Sequence, residues 1–210
     1  MQAFHFDVVD STNEVAKRLI SEGRLGGRGY VLAREQTAGK GQRGRVWASP
    51  RAAGIYLSVV DRPGVVADLS LFTRAAAVAS AAVLRDETAI DVRIKPINDL
   101  CIAHRKLGGI LTEAVIERQE LRALVTGIGV NTHQADRVVG GAQLAPISLQ
   151  EAMPPAQFAY MHSDELVRKL VGSVLTWNYR VARGELPLLE AEWERLSDLR
   201  RSADICGAPA

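Results

Sequence analysis

The sequence predicts an α+β fold, and three observations carry the prediction. Strand-like apolar runs follow one another directly, most clearly over residues 99–131. Segments with helical spacing of apolar residues stand apart from them, at 11–23, 67–88 and 163–184. Of the 210 residues, 47% are hydrophobic, enough for one full core in a chain of this length. A doubly wound sheet would alternate strand and helix throughout, and this chain does not.

Each element has its own signal. Residues 3–10 (AFHFDVVD) read as a strand. Residues 11–23 read as a helix: Ser11 and Glu14 have capping-box spacing, Val15 and Leu19 lie one turn apart, and Gly23 ends it. Residues 29–36 and 54–61 are strands with a Gly-rich basic loop between them. Residues 67–88 form an alanine-rich helix with Leu71, Ala75, Val78 and Ala82 on one face. Residues 91–95 make a short strand, and 99–131 give two or three strands with tight turns. In the last of these, small and apolar residues face both sides, as in a buried strand. A polar, Gly-rich connection spans 132–146, and Ser148 caps a short helix. Residues 163–184 form an amphipathic helix through Leu166, Leu170, Trp177 and Val181. A last helical segment covers 186–199, so the expected domain is 1–199 with a frayed tail at 200–210.

Charge narrows the function. Charged residues make up 24% and the net charge is only +2, which argues against a polyelectrolyte role. The basic cluster of Lys40, Arg43, Arg45 and Arg51 is therefore local, with no acid between Glu35 and Asp61. Cys101 and Cys206 are far apart and have no metal-type spacing. The N-terminus has acids at Asp7 and Asp10 and no basic leader before an apolar run, unlike a signal peptide. The apolar stretch 75–84 is too short to span a bilayer. These readings give a reduced, cytoplasmic location with no membrane partner.

Four stretches carry chemistry. In "GKGQRGRVW" (39–47), glycines free successive N–H groups and arginines offer forked donors, which suits phosphate or carboxylate. It is no Walker A loop, because Gly41 follows Lys40 and a strand comes next. A basic surface hairpin is the plainer alternative. In residues 94–116, Lys95, Asn98, Asp99, Lys106 and Glu113 punctuate apolar strands. Gly108 and Gly109 beside Lys106 would allow close approach to the backbone; the alternative is a hairpin with solvent-facing lysines. In "VTGIGVNTH" (125–133), Gly127, Gly129 and Asn131 share one face, leaving either a flat slot or close helix packing. In "DSTNEVAK", capping accounts for Ser11 and Glu14. The four histidines show no metal-ligand spacing.

Together these stretches resemble the catalytic domain of the biotin protein ligase family. Its landmarks occur in order: "DSTN", "EQTAGKGQRGRVWASP", "GIYLS", "KPINDL", "RKLGGILTE" and "GIGVN", and the resemblance runs from about residue 5 to about 195. It implies a class II synthetase-like fold, a mixed sheet with helices packed on one side. It also implies two half-reactions. The biotin carboxylate attacks the α-phosphate of Mg-ATP, giving biotinyl-adenylate and diphosphate. A lysine of a biotin carboxyl carrier protein then takes the biotinyl group and AMP leaves.

The resemblance assigns roles residue by residue. Lys106, Arg43 and Asp99 would be catalytic, with Lys106 bridging the biotin carbonyl and the phosphate. Ser11, Thr12, Asn13, Gln36, Gly39, Lys40, Gly41, Trp47, Gly108 and Gly109 would bind biotin. Gln42, Arg43, Arg45, Lys95, Asn98, Lys106 and Asn131 would bind ATP and the adenylate. Asp99 would handle either magnesium or the acceptor amine, and no other residue is assigned to a metal. The loop at 39–47 becomes a mobile lid. A homodimer is compatible with the resemblance.

The sequence also departs from the family pattern. Lys95-Pro96-Ile97-Asn98-Asp99 stands where Lys-Trp-Pro-Asn-Asp is usual, which predicts altered geometry on the nucleotide side. Gln42 replaces the commonest Arg, which predicts a leakier adenylate. The resemblance starts too late to include the DNA-binding domain of repressor members, so no DNA partner is expected. It stops near where a small C-terminal β-barrel would begin. Three rivals follow. A lipoate or octanoate ligase or transferase shares the superfamily, but its Arg-Arg-x-Ser-Gly-Gly-Gly loop is missing, and a transferase needs a cysteine–lysine pair. A non-catalytic biotin or nucleotide sensor is the second. An RNA-binding protein is the third, and the near-neutral charge opposes it.

Overall fold

The computed structural model describes residues 1–64, 66, 68–136 and 144–197. The tail expected at 200–210, Cys206 and part of the 132–146 connection lie outside the described residues. Seven strands form one mixed sheet: β1 (Gln2–Val9), β2 (Gly29–Gln36), β3 (Gly54–Asp61), β4 (Val92–Lys95), β5 (Asp99–Ile102), β6 (Arg105–Glu117) and β7 (Glu120–Asn131). Their order is β1-β2-β3-β7-β6-β5-β4. The run 99–131 resolves into three strands, and β4 to β7 form an antiparallel meander.

Only β1 and β2 are parallel. A parallel pair needs a crossover, and α1 (Thr12–Ser21) supplies it. This crossover corrects one expectation, that of helices on a single side. Helices α2 (Leu69–Thr88), α5 (Ser163–Ala182) and α6 (Leu186–Ser197) do pack on one face, against Ile55, Leu57, Ile110 and Ile128. Helix α1 packs on the other face, where Val15, Ala16 and Leu19 meet Val31, Val60 and Val125. The period-2 alternation of β3 and β7 serves both layers at once.

Helix α2 is more enclosed than a single apolar stripe implies. Ala75, Ala76, Ala77, Ala79 and Ala81 are all fully buried, so their small side chains let it nestle between the sheet and α5. Asp68 caps it, its carboxylate accepting from Ser70 N at 2.8 Å. Ser148 and Glu151 form a capping box on α3 (Leu149–Ala152), as the sequence indicates. The short α4 (Pro155–Ala159) carries no clear periodicity and was not expected. Leu166, Leu170, Trp177 and Val181 of α5 are buried, as their spacing predicts. Because α1 covers only part of its face, the floor made by β3, β7 and β6 lies open beside it.

Candidate active site

A pocket occupies that uncovered floor, and the sheet register orders it in rows. Ser58, Gly127 and Leu111 lie side by side on β3, β7 and β6. Two residues along, about 7 Å away, lie Tyr56, Gly129 and Gly109. Two residues the other way lie Val125 and Glu113. Neither row 109–129 nor Gly127 carries a β-carbon into the pocket from β6 or β7. The two glycines divide between the readings: Gly127 packs closely on helix α1, where a β-carbon would lie 2.7 Å from Asn13 Oδ1, whereas Gly129 leaves room for the Trp47 indole.

The row at Gly127 abuts a polar wall from the start of α1. Thr12, Asn13 and Ser58 are almost wholly buried. Ser58 Oγ lies 2.5 Å from Asn13 Oδ1 and 2.8 Å from Thr12 Oγ1. Gln36 Oε1 accepts from Thr12 N at 2.8 Å, and Gln36 Nε2 donates to Ser49 Oγ at 2.7 Å. Ser11 is buried in the same corner and lines the pocket, but it makes no side-chain cap. The capping-box reading fails here. Glu14 reaches away from the helix end to Lys40 at 2.9 Å and Lys17 at 3.0 Å. These two ammonium groups, Lys40 first, hold its carboxyl below the usual range.

The basic loop folds over the second row as a ribbon. Trp47 N donates to Gly39 O at 2.8 Å, Gly41 N donates to Arg45 O at 2.7 Å, and Gln36 bridges to Ser49. Its indole lies on Gly129, so closely that a β-carbon there would sit 2.5 Å from Trp47 Nε1. That Nε1 is buried without a hydrogen-bond partner among the described residues. Lys40, Gly41, Gln42 and Arg45 line the pocket from above. Arg43 does not: it sits exposed at the ribbon's tip with left-handed backbone, φ 56°.

Lys106 closes the end beyond Gly109. Its Nζ pairs with Asp99 at 2.7 Å and lies 5.3 Å from the centre of the Trp47 ring. Asn98 lines the pocket and is buried, its Nδ2 donating to Ile110 O at 2.8 Å. Four other sequence candidates stand behind the lining. Lys95 ends β4 opposite Asp99. Gly39 is crowded by Trp47 and Ser49, and Gly108 by Gly129 O and Leu100, so both serve packing. Asn131 ties Lys106 O and Ile147 O together through Nδ2, at 3.2 and 3.1 Å.

Ser58 was missed as a site residue, and Glu113, singled out among the polar groups of 94–116, was given no role. Glu113 Oε2 accepts from Asn13 Nδ2 at 2.7 Å, and its Oε1 pairs with Lys17 at 2.7 Å. The available signal was a polar residue at an inward position of an apolar strand. Burial works against the Lys17 ammonium, but hydrogen bonds to Glu113 and Glu14 outweigh it and raise its pKa. Cys101 is fully buried, and burial, with Asp99 nearby, pushes its thiol up to about 11. It stays protonated at neutral pH, so it does not supply the nucleophile of a cysteine–lysine transferase. Among the described residues no group of three or more His, Cys, Asp or Glu could hold a metal ion, and no helix is long and apolar enough to cross a membrane.

Comparison with known proteins gives the chain's family and fold. Residues 5–131 match the family model described as the biotin/lipoate A/B protein ligase family. The bifunctional ligase/repressor BirA of Bacillus subtilis is 35% identical over 131 residues, 62% of this chain and 40% of that protein. The chain thus spans less than half the length of that relative. A biotin–[acetyl-CoA-carboxylase] ligase of Mycobacterium tuberculosis is 31% identical over 199 residues, 91% of this chain and 70% of that one. The structure superposes on biotin protein ligase from Aquifex aeolicus, solved with biotin and ATP, at a TM-score of 0.77 and 22% identity, covering 94% of this chain and 78% of that one.

Proposed function

Because the chain belongs to the biotin/lipoate A/B protein ligase family, we propose that it is an ATP-dependent biotin protein ligase. One observation carries the reading. A buried hydrogen-bonding wall and a poised ammonium stand at two ends of one glycine-floored slot under an indole. That arrangement suits a ligand with a polar head, a narrow apolar body and a carboxylate tail.

Biotin's ureido ring would meet Thr12, Asn13, Gln36 and Ser58, and once the Trp47 indole lifts off Gly129 its tail would run over Gly129 and Gly109 beneath it. The carboxylate would arrive at Lys106. Two anions must then meet, the carboxylate and the α-phosphate of ATP. Lys106, held by Asp99 and screened from water by Trp47, supplies fixed positive charge where the new bond forms. The carboxylate oxygen attacks phosphorus and diphosphate leaves. The lid's cations Lys40 and Arg45 border the same space, and Arg43 reaches it only if the ribbon tip turns inward. A lysine amine of the carrier protein then attacks the acyl carbon, and AMP takes the bonding electrons. Asp99 is the carboxylate placed to receive a proton near that carbon.

Magnesium would be held chiefly by the nucleotide phosphates, with Asp99 as the carboxylate that could serve it beside them. The acceptor is a biotin carboxyl carrier domain, and the setting is the cytoplasm. Biotin-dependent exchange of labelled diphosphate into ATP tests the reading. Exchange with biotin and not with lipoate is expected. Biotin binding without exchange would instead establish a sensor. Lys106→Ala should lower exchange by about 10²–10³-fold with the fold intact by circular dichroism.

A further inference from the structure

Glu113 lines no part of the pocket, yet its carboxylate ends a hydrogen-bond chain that the pocket wall depends on. The chain runs Glu113, Asn13, Ser58, Thr12, Gln36, Ser49, and its hydrogens can be counted. A carboxylate paired with Lys17 only accepts. Asn13 must therefore turn its NH2 toward Glu113, at 2.7 Å, with Leu111 O at 3.3 Å taking the second hydrogen. Its Oδ1 then faces Ser58, which owns one hydrogen and gives it to Asn13 at 2.5 Å. At the far end, Gln36 Nε2 is committed to Ser49, so Gln36 Oε1 faces Thr12. Thr12 Oγ1 thus lies 2.8 Å from Ser58 Oγ and 3.1 Å from Gln36 Oε1 with a single hydrogen for both contacts. One contact is left acceptor against acceptor. Thr12 and Ser58 are buried and Gln36 is half-buried, and an unmet contact of this kind is costly.

We infer that Glu113 is a positioning residue that sets the direction of this chain, so that the wall accepts hydrogen bonds and selects a ligand head rich in N–H donors. The inference rests on the biotin reading, since a ureido brings two such N–H groups. It also assigns Lys17 a part: by pairing with Oε1 it leaves Oε2 alone to face Asn13.

Glu113→Gln tests this without changing shape. Lys17 would hold the Gln oxygen, so the Gln NH2 would face Asn13 and turn its amide over. Ser58 would then accept from Asn13 and donate to Thr12, Thr12 would donate to Gln36, and each hydroxyl would keep only one free lone pair for the ligand, fewer than the wild-type wall offers. The probes are biotin and its cyclic carbamate, in which oxygen replaces one ureido N–H. For the wild type, the ratio of kcat/KM in diphosphate exchange should favour biotin by about 100-fold or more. E113Q should raise the KM for biotin about 10–100-fold, change kcat by less than about threefold, and shrink the preference over the carbamate to below about tenfold. The double variant E113Q/N13D exchanges amide and carboxylate, returns Ser58's hydrogen to residue 13, and should restore the preference. If E113Q does not fold, Ser58→Ala breaks the same chain and should lose the same preference. Unchanged KM and unchanged preference in a folded E113Q, or in S58A, would overturn the inference and leave the ligase reading standing. Wild-type protein that fails to bind biotin by calorimetry would overturn the ligase reading itself.

Discussion

Two glycines of the slot should answer alanine in opposite ways. At Gly129 a β-carbon would lie 2.5 Å from Trp47 Cε2 and Nε1 and 2.7 Å from Cζ2. At Gly109 the nearest atom would be Trp47 Cζ3 at 3.5 Å, followed by Lys106 Cε at 3.7 Å. The second is ordinary contact. The first requires the indole to retreat by about 1 Å, since carbon atoms settle near 3.5–4.0 Å. Overpacking of this size costs about 1–3 kcal/mol, or about five- to 140-fold in an equilibrium. Neither glycine has a positive φ, so backbone strain does not confuse the comparison. The readout is Trp47 emission in the unliganded protein, isolated by subtracting a Trp47→Phe background. Gly129→Ala should shift it to the red and destabilise the unliganded fold by about 1–3 kcal/mol, read by denaturant unfolding. Gly109→Ala should leave the emission in place. Equal emission from both variants, or a shift in Gly109→Ala alone, would refute the placement of the indole on Gly129.

Three further outcomes are expected. Gln42→Arg adds a cation to the lid beside Arg45, and a filter-binding chase should show slower loss of the adenylate; an unchanged rate would show that retention does not depend on charge at this position. Asp61 is 1% exposed and accepts from Arg28 Nε at 2.7 Å, Arg62 N at 2.8 Å and Asn178 Nδ2 at 3.1 Å. Asp61→Ala strands those donors, costing about 2–3 kcal/mol and lowering Tm by roughly 4–12 °C, checked by thermal melting. The Arg18 guanidinium beside Asp10 lowers its pKa from 3.8 to about 2. A depressed carboxyl stabilises the fold above its unfolded pKa and loses that contribution as pH falls through the folded one. Asp10→Asn should therefore flatten the acid-unfolding curve between those two values and leave its shape above pH 5 unchanged.

Most strands and the three long helices were legible because their periodicity reports burial directly. Leu166, Leu170, Trp177 and Val181 faced inward because nothing competes with a 3.6-residue stripe on an amphipathic helix. What stayed hidden was long-range. The parallel pairing of β1 with β2, and with it the placement of α1 on the opposite face, depends on a crossover that no local pattern specifies. Glu14 was misread because an i,i+3 spacing from Ser11 looks identical whether the carboxylate turns back to cap or reaches across to Lys40. The glycines of the slot were ambiguous because a missing β-carbon says that something comes close, and not what. Ser58 escaped, and Glu113 was noticed without a role, because a polar residue at an inward strand position gains meaning only from the neighbour it faces, 45 and 100 residues away in the chain. Arg43 shows the reverse case: its motif position suggested the pocket, and the ribbon carries it to the tip.

The ribbon's own backbone bonds have a consequence for rates. Bonds between 36 and 49, 39 and 47, and 41 and 45 join its two arms into one stiff flap. Lys40, Arg45 and Trp47 therefore share a single degree of freedom. Swinging the indole off Gly129 to admit a ligand also pulls Lys40 from Glu14 and draws Arg45 from the mouth. The door that lets biotin in is the door that lets the intermediate out. Substitutions in the flap should move both rates in the same direction, and selection at this loop acts on one compromise between them.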